Sequence, residues 1–144
     1  MDEQRRKALV LEHHRRVNAG DLDGLLALYA EGVTFEDPVG SGRQSGRAAL
    51  RAHFARSIEG NLRETPGEPV AGQDARHALV AVSAVMDYLP KGPDFAERGW
   101  LTAPPEPAGG RLAFAYVLMI RTAGDGLIDD LRAFWGRSDL ECAG

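Results

Sequence analysis

The period of the hydrophobic pattern changes once along this chain, near residue 60, and that change limits what the chain can fold into. Before it, inward positions recur at helical spacing: Val10, His13 or His14, and Val17 within residues 4–18, then Leu22, Leu25, Leu26 and Tyr29 after a stop at "NAG". Asp21 is placed to cap the second helix and Gly32 to close it, while Ser45 is placed to cap a third that buries Leu50, Phe54 and Ile58. One strand is expected between these helices, at 33–37. Beyond residue 60 alternation takes over, with strands expected at 61–65, 76–88, about 96–102, 111–122 and 127–135. "AGDG" marks the last hairpin, and "APPEPAGG", 103–110, a surface connection. Helices followed by antiparallel strands predict an α+β domain with the helices on one face of a curved sheet. In 79–87, "LVAVSAVMD", both faces are apolar, so one can cover the helices while the other lines a cavity; a sandwich core without a cavity is the competing arrangement.

The chain of 144 residues reads as a single domain, 1–144, able to bury roughly 70% of the surface its unfolded form exposes. Its net charge is −4 and basic residues are scattered among acidic ones, which argues against a nucleic-acid or membrane-surface partner. No apolar run reaches the roughly 18 residues of a membrane span, and "MDEQRRKALVLEHHRR" lacks the features of a signal peptide, so a cytoplasmic location is expected. The single cysteine, Cys142, excludes an internal disulfide framework and a cysteine-rich metal cluster. The histidines show no HxH or HxxxH spacing, and GxGxxG, P-loop, HExxH and GxSxG motifs are missing; no metal and no cofactor are expected.

Chemistry concentrates in "VTFEDPVG", 33–40, where two acids precede a proline. Alternation puts Val33, Phe35 and Asp37 on one face and Thr34 and Glu36 on the other, so Asp37 is the inward acid. Pro38 keeps Asp37 extended at the strand's rim. Desolvation among apolar neighbours should raise its pKa, as suits a general base; the alternative is that Asp37 caps the turn beginning at Pro38. The same parity applied to "NLRET", 61–65, turns Glu64 inward beside Leu62, although alone it reads as readily as an edge residue. Two inward carboxyls can divide labour, one accepting a proton and the other giving one. Asp87 and Asp129 also share faces with apolar residues, but near strand ends, where a solvated turn residue is the plainer reading.

The run "NAGDLDGLLALYAEGVTFEDPVGSGRQSGRAALRAHF", 18–54, resembles the ketosteroid-isomerase-like family, which shares a cone-shaped α+β fold with nuclear transport factor 2. The resemblance implies three N-terminal helices and a curved sheet enclosing a pocket, with Asp37 as general base. That family's isomerases complete an oxyanion hole with a tyrosine and a protonated aspartate, at positions held here by His13 and Leu118. Leu118 cannot donate a hydrogen bond, so steroid isomerisation is not the expected activity.

A longer likeness covers "NLRETPGEPVAGQDARHAL", "SAVMDYLPKGPDFAERGW" and "FWGRSDL", which are similar to the actinobacterial polyether epoxide hydrolases that close cyclic ethers in ionophore biosynthesis. This resemblance implies an acid/base pair at Asp37 and Glu64, a polyepoxide polyketide as substrate, and no cofactor. Period-2 parity offers Tyr116 and Leu118, and Leu131 and Trp135, as cavity wall, with His13, Met86, Tyr88 and Trp100 as further substrate contacts. The same resemblance admits a pyran synthase using Asp37 with a second aspartate, Asp87 or Asp129. It also admits a non-catalytic partner subunit of such a cyclase, and separately implies a homodimer or pairing with a related cyclase.

Overall fold

In the computed structural model, which describes residues 1–143, Asp2 caps the first helix by accepting a hydrogen bond from the Arg5 amide at 2.8 Å. This helix, α1, runs Glu3–Ala19 and stops at Gly20, whose φ of 68° is open to glycine at little cost. It is held between two layers, with the helices α2 (Leu22–Leu26) and α3 (Arg47–Glu59) on one side and the sheet on the other. A helix enclosed this way hides more than one stripe. Both members of the His13–His14 pair are therefore buried, at 2% and 1% exposure, where a single inward histidine was expected.

The second helix is shorter than its apolar stripe suggests. It ends at Leu26, and Tyr29 opens strand β1 (Tyr29–Glu36), which passes through Gly32. Nor does Ser45 cap α3: it pairs with Thr34 as part of the short strand β2 (Gln44–Ser45), and Gly46, at φ 96°, makes the turn into the helix. The buried face of α3 holds Leu50, Phe54 and Ser57, with Ile58 only partly covered.

The sheet follows the order β2-β1-β7-β6-β5-β3, where β3 is Arg63–Pro66, β5 His77–Asp87, β6 Arg111–Thr122 and β7 Ile128–Phe134. Two short strands join it from the side, β4 (Val70–Ala71) on β5 and β8 (Leu140–Ala143) on β6, neither signalled by any alternation. All pairings are antiparallel except β1 with β7. That parallel contact makes the sheet mixed and sets the end of β1 beside the middle of β7, with Phe35 opposite Leu131. On β5 one face does both jobs: Val80, Val82, Ala84 and Met86 are buried, while Ala81, Ser83 and Val85 face outward. The cavity and the helix-covered core thus share the concave side.

The strand expected at 96–102 is not formed. Its place is taken by a short helix, α4 (Gly92–Glu97), and a turn that delivers Trp100. Gly92 lies so close to the Tyr88 ring that a Cβ would sit 2.3 Å from a ring carbon, so the "YLPKGP" segment folds tightly on that tyrosine. No helix among the described residues is long and apolar enough to cross a membrane.

Candidate active site

The concave face encloses a cavity of about 190 Å³, and both acids picked out by strand parity border it. Asp37 follows β1 immediately, with its side chain 25% exposed, and each of its oxygens accepts a hydrogen bond. Trp135 Nε1 donates to Oδ1 at 2.8 Å, and His53 Nε2 lies 3.0 Å from Oδ2. Behind His53, the Lys91 ammonium approaches Nδ1 at 3.4 Å. A lysine donating to Nδ1 leaves the proton on Nε2, so His53 is a neutral donor to the carboxylate. Burial pushes the His53 pKa down, and the neighbouring Lys91 charge adds to this against the pull of Asp37.

The expected rise in the Asp37 pKa does not occur. Burial does push it up, but the hydrogen bond and field of His53, the Lys91 charge and the Trp135 bond outweigh that, holding the carboxyl below its ordinary value. Asp37 is thus kept ionised by two donors, His53 and Trp135, and by the charge of Lys91.

Glu64 borders the same cavity at a more deeply buried point and is 7% exposed. Its Oε1 lies 2.7 Å from His14 Nδ1, and Tyr116 Oη donates to Oε2. Asn18 braces its backbone as a strand neighbour would, accepting from the Glu64 amide at 2.7 Å and donating to its carbonyl at 2.8 Å. Burial, reinforced by the adjacent Glu64, drives the Tyr116 pKa well up, so the phenol stays a donor. His13 shares a 2.6 Å hydrogen bond with Tyr29 Oη, and burial beside His14 lowers its pKa well below the usual histidine range. It faces the cavity as a neutral imidazole.

Met86, Trp100, Tyr116, Leu118, Leu131 and Trp135 all line the cavity, as does His13. Tyr88 does not: its ring is spent against Gly92, and its amide donates to the Gly110 carbonyl at 2.8 Å. Asp87 faces outward, bonded to Asn61 at 2.7 Å, and Asp129 pairs with Arg121 at 2.7 Å; neither borders the cavity. An irregularity in β7 leaves Asp129 unpaired with β6, and the next residue, Asp130, is buried on the sheet face away from the cavity, bonded by Thr34, Arg43 and Arg132.

His53 and Lys91 were missed by sequence reasoning. Leu50, His53, Phe54 and Ser57 follow i, i+3, i+4, i+7 spacing, so His53 was detectable as a polar member of a buried stripe. Lys91 had no such signal. Metal-type donors also meet where motif spacing offered none: His13, His14 and Glu64 place ligand atoms within 4.8 Å of one another. In this arrangement His14 Nδ1 and Glu64 Oε1 are bonded to each other and His13 Nδ1 is bonded to Tyr29, so an ion there would have to displace these contacts.

A family model for the SnoaL-like domain matches residues 10–131. The chain is 52% identical over 141 residues to the epoxide hydrolase LasB of Streptomyces lasalocidi, a match covering 96% of this chain and 50% of LasB. It therefore spans about half the length of that relative. It is 26% identical over 138 residues to a steroid Δ-isomerase of Nocardioides simplex, covering 93% and 92% of the two chains. Among solved structures, SalBIII matches with a TM-score of 0.81 and 33% identity over 95% of each chain. SalBIII is an epoxide hydrolase/cyclase-like enzyme with a role in pyran ring formation in the polyether salinomycin. RV0760c of Mycobacterium tuberculosis matches at 0.77 over 95% and 98% of the chains, but at 21% identity, a likeness of fold alone.

Proposed function

The chain belongs to the SnoaL-like family, and from that premise we propose that it is an epoxide-opening cyclase acting on a hydroxy-polyepoxide polyketide chain. Asp37 accepts the proton of a substrate hydroxyl as that oxygen attacks an epoxide carbon. The C–O bond of the new ring forms while the epoxide C–O bond breaks, and Glu64, carrying a proton, delivers it to the epoxide oxygen. The product is an isomer of the substrate: one cyclic ether and one new hydroxyl. Both proton transfers are assigned to side chains, and the apolar wall of Leu118, Leu131 and Met86 holds the chain folded. Such positioning is worth effective molarities of up to roughly 10⁵–10⁸ M.

One observation carries this reading. Two carboxyl groups face one apolar cavity in unlike surroundings, Asp37 tied to the donors His53 and Trp135, Glu64 buried between Tyr116 and His14. That asymmetry is what a base and an acid working together require. A short hydroxy-bisepoxide, followed by mass spectrometry and NMR, tests it: cyclic ether formation should fall at least about 100-fold in Asp37→Asn and in Glu64→Gln. Activity retained in either variant removes that residue from the mechanism.

The similarity to SalBIII favours a second reading, pyran formation by Asp37 with another aspartate. Glu64→Gln separates the two, because it spares a reaction that does not use Glu64. The position of Asp87 and Asp129 outside the cavity weighs against the pyran route. Steroid isomerisation is weaker still, since Leu118 offers no hydrogen bond to an enolate.

A further inference from the structure

The cavity's two ends differ in charge. Glu64, His13 and Leu118 form its buried end, while the exposed Arg56, Asp94 and Arg98 and the half-buried Lys91 rim the other. Arg56 and Asp94 neutralise each other at 2.7 Å. Lys91 and Arg98 form no ion pair among the described residues, although the field of Asp37, beyond His53, reaches Lys91. Among the described residues, no carboxylate lies within 4.0 Å of either cation. The Lys91 ammonium has one long contact, to His53 Nδ1 at 3.4 Å, leaving two of its three N–H donors unassigned. Burial already weighs against its charge and lowers its pKa to about 8, a cost that an anion beside it would offset. The Arg98 guanidinium lies over the Trp100 ring at the mouth, 4.9 Å from its centroid, a contact that leaves its N–H groups free to bond. On a chain with a net charge of −4, the opening of the cavity therefore carries two cations without an ion-pair partner.

We propose that this mouth is an anion-binding subsite, in which Lys91 and Arg98 hold a carboxylate or phosphate at the trailing end of the substrate while its reacting portion runs inward to Asp37 and Glu64. This rests on the epoxide-opening reading for the inner portion, and it adds the substrate's polarity and direction of entry. The anion comes from one of two sources, a free acid terminus or the phosphate of a pantetheine thioester.

The test is a binding measurement that does not depend on turnover. The chain has two tryptophans, Trp100 and Trp135, and both line the cavity, so their fluorescence reports occupancy. Saturated, epoxide-free analogues ending in a carboxylate, in its methyl ester and in a phosphopantetheine thioester are titrated into the wild type, Lys91→Gln and Arg98→Gln. One of the two anionic analogues should bind about tenfold or more tighter than the ester, as a charge-assisted contact allows. Preference for the acid identifies a carboxylate, and preference for the thioester identifies the phosphate. That preference should drop severalfold in each variant. Equal affinity for all three analogues overturns the proposal, as does a preference that survives both substitutions. Inactivity of the wild type towards hydroxy-bisepoxides, with the anion preference intact, overturns the epoxide-opening reading and leaves the subsite standing.

Discussion

Replacing Trp135 with phenylalanine isolates one of the two donors that hold Asp37 ionised. The substitution keeps an aromatic ring among Phe95, Trp100 and Phe114, which lie 5.5, 5.5 and 5.8 Å from it, and deletes the 2.8 Å bond to Asp37 Oδ1. A hydrogen bond to a charged group contributes about 1.5–3 kcal/mol. At about 1.4 kcal/mol per pH unit, that is an upward shift of about one to two units in the Asp37 pKa. The side chain is 25% exposed, so water replaces part of the lost bond and the lower end, about one unit, is expected. Asp37 in the wild type is held below its ordinary value, and in the proposed role of base it would work only when ionised. The acid limb of kcat/KM should therefore move to higher pH by about one unit in Trp135→Phe, with the plateau near pH 7 nearly unchanged. The measurement is kcat/KM on a hydroxy-epoxide from pH 4 to 8. An acid limb that stays in place while the variant remains folded would refute the assignment of Asp37 as the base whose ionisation Trp135 supports.

Two further outcomes follow from the supporting contacts. Asn18→Ala removes both bonds to the Glu64 backbone and should destabilise the fold by about 1–3 kcal/mol in urea titration, with a fall in kcat as Glu64 loses its position. Asp130 is held below the ordinary carboxyl range: burial opposes this, but bonds from Thr34, Arg43 and Arg132 prevail. The stability it contributes is present above the unfolded pKa near 3.9 and is lost as pH falls through the lower folded value, so the gap in urea midpoint between wild type and Asp130→Asn should close below about pH 4.

Strand parity was enough to turn Asp37 and Glu64 inward because alternation is a local property of the backbone, needing no knowledge of what the strand packs against. The same alternation put Asp129 on the face of Leu127 and Leu131, whereas an irregularity in β7 sets it outward against Arg121. It failed at 96–102 because Gly92 folds α4 onto the Tyr88 ring, a contact that period 2 does not encode. The helical stripe ran on through Tyr29 because that residue is buried in either setting, as the last turn of a helix or the first position of β1. For Asp37 the location was legible and the sign of its pKa shift was not. Apolar neighbours in sequence predict a rise, whereas the outcome is set by Lys91, His53 and Trp135, which only the folded chain brings to it.

The asymmetry of the two ends bears on how many rings one binding event can close. Under the proposed mechanism each closure leaves Asp37 protonated and Glu64 ionised, the reverse of the state in which it began. Asp37, a quarter exposed beside the mouth, can return its proton to water directly. Glu64, only 7% exposed, is contacted by His14 and Tyr116 and borders the cavity that the product would fill. The ring just formed must therefore withdraw from Glu64 before the acid is recharged. Successive closures on one chain are then separate passages of the chain through the cone, with the polarity of its trailing end keeping each re-entry in the same direction.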